Sequence, residues 1–114
     1  ALDKLTEKEK RLLSHVLGTL SAAPEAYPGE GIEGSLLDNA LMMASRALNN
    51  RRHPGLSAIV AAAHEMGKIT AWVRDATGEW ARVKDQGREA ARILATLDAW
   101  WELPPDDRNA VLLR

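Results

Sequence analysis

The chain has 114 residues, 46% of them hydrophobic and 27% charged, which is enough for one folded domain, short of two, and unlike a disordered chain. A formal net charge of -1 gives nucleic acid no bulk electrostatic attraction, and without cysteine neither a disulfide framework nor a thiolate metal site can form. No apolar run approaches the ~18 residues that span a bilayer, and the charges of Lys4 to Arg11 stand where a signal peptide needs apolar residues, so a cytoplasmic location is the expectation.

Thr6 and Glu9 have the spacing of a capping box. With the apolar face of Leu12, Leu13, Val16, Leu17 and Leu20 they predict a helix over residues 6–21. Glu7 and Arg11 are ordered for an i,i+4 pair, His15 lies off the apolar stripe, and the charge run reads as a solvated face. Pro24, Pro28, Gly29, Gly31 and Gly34 make residues 22–34 a loop of a length that often carries function. Ser35 with Asp38 opens a second capped helix, over 35–49, whose stripe is Leu36, Leu37, Ala40, Leu41, Ala44, Ala47 and Leu48. Asn39 falls just outside that stripe beside Met43. Met42, Met43 and Met66 read as core filler.

Asn49 to Gly55 is a short basic turn carrying Arg51 and Arg52. The most apolar, alanine-rich window follows, Leu56 to Lys68, and predicts the central helix, with Ser57 as its N-cap. Its stripe is Leu56, Ile59, Val60, Ala63, Met66 and Gly67, with His64 at the edge. Trp72 to Val83 carries β-favouring residues on both sides of a turn-like Asp75-Ala76-Thr77-Gly78, which suggests one short β-hairpin within residues 70–83, although the spacing from Trp80 onward would also let a helix start there. A helix is expected over 85–102 and another from 105, where proline and two acids begin a first turn. The three-and-four spacing Trp80, Val83, Gly87, Ala90, Leu94, Leu97, Trp101 puts Trp101 inside and leaves Trp100 at the rim. Trp100, Leu112 and Leu113 are then the candidate partner-binding residues. The fold class is all-α: a small multi-helix domain over residues 1–114. The start without Met and the end within an apolar helical stretch are expected of a piece of a longer chain.

Two segments carry a resemblance. Ser35-Leu36-Leu37-Asp38-Asn39-Ala40-Leu41 and Ala61-Ala62-Ala63-His64-Glu65-Met66-Gly67-Lys68 together resemble the start of an HD-domain metal-dependent phosphohydrolase. That family has a histidine in a Leu-x-x-His-Ser-Leu-like helix and an apolar helix ending in His-Asp-x-Gly-Lys. Thr70 to Val73 and Asp75 to Trp80 are similar to the segment after that motif in HD-like modules of bacterial conjugative relaxases. The resemblance runs from about Gly34 to Val83 and implies an HD-like helical fold. It would place a divalent metal on Asn39, His64, Glu65 and Asp98. Here Asn39 stands where the family has its first histidine, and Glu65 where it has the aspartate. An amide oxygen is the weaker ligand, and incomplete ligand sets lose most of their affinity. Arg51, Arg52 and Lys68 are the candidate phosphate-binding cations, against a plainly solvated basic loop.

Three readings follow. The first is a degenerate HD-like module without catalysis or cofactor, an interaction or assembly domain whose partner is a protein or the rest of a larger chain. A bacterial conjugation or secretion-related protein is the setting the resemblance implies. The second is an active metal-dependent phosphohydrolase acting on a nucleotide or phosphodiester. The third and weakest is a DNA-binding helical module, resting on Arg51-Arg52-His53 and on Arg82, Lys84, Arg88 and Arg92, a flank interrupted by Asp85 and Glu89.

Overall fold

A computed structural model describes residues 2–50 and 52–113. After a 3-10 turn at Leu2–Lys4 come α1 (Glu7–Ser21), α2 (Leu36–Ala47), α3 (Pro54–Met66) and the single turn α4 (Lys68–Ala71). The strands β1 (Trp72–Arg74) and β2 (Trp80–Arg82) follow, then α5 (Gln86–Leu94), the short α6 (Asp98–Trp101) and α7 (Pro105–Leu112). The fold is all-α with one two-stranded hairpin. Among the described residues no helix is long and apolar enough to cross a membrane.

Both capping boxes form. The Glu9 amide donates to the Thr6 hydroxyl at 3.2 Å and Glu9 accepts from the Thr6 amide at 2.8 Å. Ser35 and Asp38 repeat the arrangement at α2. Each box satisfies two helix-end donors that would otherwise lack partners. The charges of α1 pair differently from the i,i+4 expectation. Glu7 meets Lys10 at 3.3 Å, while Arg11 reaches Glu102 at 3.0 Å, tying α1 to the end of α6.

α3 is the hub. It packs against α1, α2, α5 and α7, and Leu56, Ala58, Ile59, Ala62, Ala63 and Met66 are buried in one core with Leu12, Val16, Leu20 and Leu36. Its alanines let neighbouring helices approach on several sides. It begins earlier than the sequence suggests. Pro54 takes the first helical position, where a missing N–H costs nothing, so Ser57 lies inside the helix and does not cap it. The Asn50 side chain organises the turn before it, accepting from the amides of Arg52 and His53. Arg51 lies outside the described residues.

The hairpin is antiparallel, pairing Trp72 with Arg82, Val73 with Ala81 and Arg74 with Trp80. Gly78 supplies the positive φ its turn requires. Tyr27 from the loop over 22–34 stacks on Trp72 at 4.3 Å and lies 5.3 Å from Trp80, which fastens that long loop to the hairpin.

The helix expected over 85–102 is broken. α5 stops at Leu94 because its end is capped locally: the Thr96 hydroxyl donates to the Ile93 carbonyl at 2.6 Å, and the Trp101 indole N–H donates to the Ala95 carbonyl at 2.9 Å. The chain turns through 95–97 and restarts as α6, so the heptad phase is lost. The two tryptophans are therefore the reverse of the sequence expectation: Trp100 is 3% exposed in the core, and Trp101 is 58% exposed. Met42, Met43 and Leu41 are exposed as well, against their assignment to the core, whereas Met66 is fully buried. Leu112 and Leu113 are exposed, the latter 87%.

Replacing Trp100 with alanine is expected to cost about 3–5 kcal/mol, as for other buried aromatics. Trp101→Ala is expected to cost only about 1 kcal/mol, chiefly the indole–carbonyl hydrogen bond. Urea denaturation of the two variants checks the order.

Candidate functional site

The end of α3 brings three of the candidate residues together. Glu65 is 6% exposed, held in by the packing of α2 and α5 around α3. Burying a carboxylate this far costs several kcal/mol unless its charge is met. It is met twice. Lys68, one turn on, donates from Nζ to Glu65 Oε2 at 2.7 Å, and Asn39 of α2 donates from Nδ2 to the same oxygen at 3.0 Å. The Lys68 side chain is itself largely buried, and its Nζ also donates to the Pro28 carbonyl at 3.3 Å. An ammonium, an amide and a loop carbonyl thus join α2, the end of α3 and the loop over 22–34.

The other candidates lie apart. His64 is exposed, its imidazole turned to a groove beside α3, while its backbone carbonyl accepts from Gln86 Nε2 at 3.0 Å. Asp98 is exposed at the start of α6, which packs on α1. Among the described residues no three His, Asp or Glu side chains converge as metal ligands. The donor set does not fit the divalent ion that the HD resemblance implies. Asn39 presents N–H to Glu65, and that amide and the Lys68 ammonium both sit on Oε2, so a cation would have to share that oxygen with two donors. Nor do the described candidate phosphate cations, Arg52 and Lys68, form a cluster. Arg52 and Lys68 stand at opposite ends of α3, a rise of roughly 20 Å along the helix, and Lys68 is committed to Glu65. Trp100 is buried in the core and offers no partner surface; Leu112 and Leu113 are exposed.

Beside this cluster the backbones of α3 and α5 touch. A Cβ on Gly67 would overlap the Gln86 carbonyl oxygen and press on the Ala90 amide, so only glycine admits α5 at this distance. A second buried acid, Glu89, secures the same junction. It accepts from the Thr70 hydroxyl at 2.6 Å and from Arg92 at 3.1 Å, with Lys84 at 3.8 Å.

Alongside lies an open groove of about 470 Å³. Its floor on α3 is Val60, Ala61 and His64, the first two half-buried and the third exposed. Gly87 and Ala91 of α5 form one wall, with Met43 of α2 and Leu112 of α7 at the edges. Sequence reasoning missed this groove. Its only trace was the run of small residues on α3 together with Gly87 and Ala91 on α5. The Glu65–Lys68 pair did leave a signal, the i,i+3 spacing of opposite charges on one helix face.

No family model matches the sequence, and no curated protein or solved structure matches it.

Arg92, first, and then Thr70 hold the Glu89 carboxyl below its ordinary value of 4.5. A depressed folded-state value means that Glu89 contributes stability above the ordinary value and loses it as pH falls toward the folded one. Stability followed from pH 7 downward should therefore drop below about pH 4.5, and Glu89→Gln should flatten that acid limb while leaving the protein less stable at pH 7.

Proposed function

We propose that the chain is a degenerate HD-like helical module that catalyses no hydrolysis and serves as an interaction domain, in the bacterial conjugation or secretion setting that the resemblance implies. The observation that carries this reading is the Lys68 ammonium on Glu65. In an HD-type phosphohydrolase the corresponding acid would bind a metal, which then polarises the phosphoryl group and lowers the pKa of a bound water. Here the acid is neutralised from within the protein, and its second contact is an amide donor from Asn39. The position works as a structural clamp between α2, α3 and the loop over 22–34. The DNA-binding alternative has less support, because two of its four flank cations, Lys84 and Arg92, are already engaged by Glu89.

The interaction role draws its support from the surface. Met43 and Leu112 leave apolar side chains in solvent at a groove on the central helix, and Leu113 is exposed next to Leu112 in sequence. Contiguous exposed apolar surface of this kind is where proteins meet partners.

Purified protein incubated with manganese, iron(II) or nickel salts and then desalted should retain no stoichiometric metal. It should also leave bis(p-nitrophenyl) phosphate and cyclic nucleotides intact. Stoichiometric metal that disappears in His64→Ala, with hydrolysis that disappears alongside it, would overturn the reading in favour of an active phosphohydrolase.

A further inference from the structure

Most of α3 is buried. Around it, α1, α2, α5 and α7 bury seven of its apolar or glycine positions; Pro54 and Ser57 near its start are half-buried, and toward its end Val60 and Ala61 are half-buried and His64 is exposed. The groove over those last three residues has a floor and wall of small side chains, Ala61, Gly87 and Ala91, between larger apolar edges at Met43 and Leu112. Such a cross-section admits large aliphatic side chains from a rod laid along it, because alanine and glycine let the rod approach closely. It opens to solvent, which suits a helix better than an enclosed small ligand.

The charges around the groove select the rod's sign. Glu65, in its lining, is neutralised by Lys68, and Glu89, next to Ala90, is neutralised by Arg92 and Lys84. Three arginines on the helices that frame the groove, outside its lining, have no carboxylate partner among the described residues. Arg46 lies one turn after Met43, Arg88 follows Gly87, and Arg108 precedes Leu112 by one turn. The Arg108 guanidinium donates only to the carbonyls of Trp101 and Leu103 and lies over the exposed Trp101 ring, so its positive charge stays uncompensated. The unpaired acids on these helices sit at N-terminal turns, Asp38 in its capping box and Asp106 and Asp107 at the start of α7, where the helix dipole favours them.

We propose that this groove docks an amphipathic helix of a partner protein, with aliphatic side chains on its buried face and glutamate or aspartate on its flanks. The proposal rests on the interaction-domain reading and names the partner's chemistry. The arginines steer an acidic helix in and reject a basic one, while the apolar floor supplies the bulk of the contact.

The test uses two fluorescein-labelled, lactam-stapled helical peptides that share one leucine face, one with glutamate flanks and one with lysine flanks. Their binding to the chain is followed by fluorescence anisotropy. The acidic peptide is expected to bind at least about tenfold more tightly at low salt, with the ratio shrinking as salt rises. Ala91→Phe, which fills the groove at a half-buried position, should abolish binding while circular dichroism stays unchanged. Arg46→Glu combined with Arg88→Glu should invert the peptide preference, which a purely structural role for those residues would not do. Equal binding of both peptides, or binding of neither, overturns the proposal. So does a dimer in sedimentation that Ala91→Phe dissociates, since the occupant is then a second copy of the chain. Any of these results with a metal-free, inactive protein removes only the acidic-helix partner, whereas metal uptake with hydrolysis removes the reading beneath it.

Discussion

A carboxylate buried near the middle of a small helical domain constrains everything around it, because its charge must be met inside the protein. Glu65 is that carboxylate. It is 6% exposed, at the end of a helix that four others pack against and beside the groove, so the fold has to supply both a counter-charge and a hydrogen-bond donor. Lys68 supplies the first from one turn further along the chain, and Asn39 supplies the second from across the α2–α3 contact. Because Lys68 Nζ also holds the Pro28 carbonyl, meeting one charge fixes the loop over 22–34. Tyr27, one residue before that proline, is thereby brought against Trp72 and Trp80 of the hairpin.

The same end of α3 explains where the groove comes from. Gly67 lets the backbone of α5 lie directly on the turn after α3, and the Thr70–Glu89–Arg92 contacts hold it there. With α5 anchored at that end and α7 packed alongside, one stripe of α3 is bracketed but not covered. On this stripe the small Ala61, between Val60 and His64, is left as an open floor. The clamp and the groove are thus two consequences of how one helix end is packed.

Much of this was legible in the sequence because it is local. Thr6 with Glu9 and Ser35 with Asp38 are capping signals complete within four residues, and both form as spelled. The alanine-rich window ending in Met66 announced the central helix by composition alone. Asn39 and Glu65 are 26 residues apart, so their hydrogen bond is tertiary and no local pattern encodes it. What periodicity did not reveal are interactions between side chains and distant backbone. The break at 95–97 depends on the Trp101 indole folding back onto the Ala95 carbonyl, and nothing in the three-and-four spacing encodes that bond. The inversion of Trp100 and Trp101 follows from it. Arg11 looked like a partner for Glu7 and instead reaches Glu102, a choice made by the tertiary packing of α1 on α6. The exposure of Met42 and Met43 has the same origin, since tertiary packing decides which flank of α2 is covered.

The account turns on Lys68 being the counter-charge of Glu65. A double-mutant cycle with Glu65→Gln, Lys68→Met and the two combined, read by urea denaturation at neutral pH, measures that coupling without reference to any partner. Breaking a buried pair by removing one member costs about 3–5 kcal/mol, whereas removing both charges costs far less, so a coupling energy above about 2 kcal/mol is predicted. A coupling within about 0.5 kcal/mol of zero would contradict the account, because Glu65 would then owe its charge balance to something other than Lys68 and would be open to an external cation.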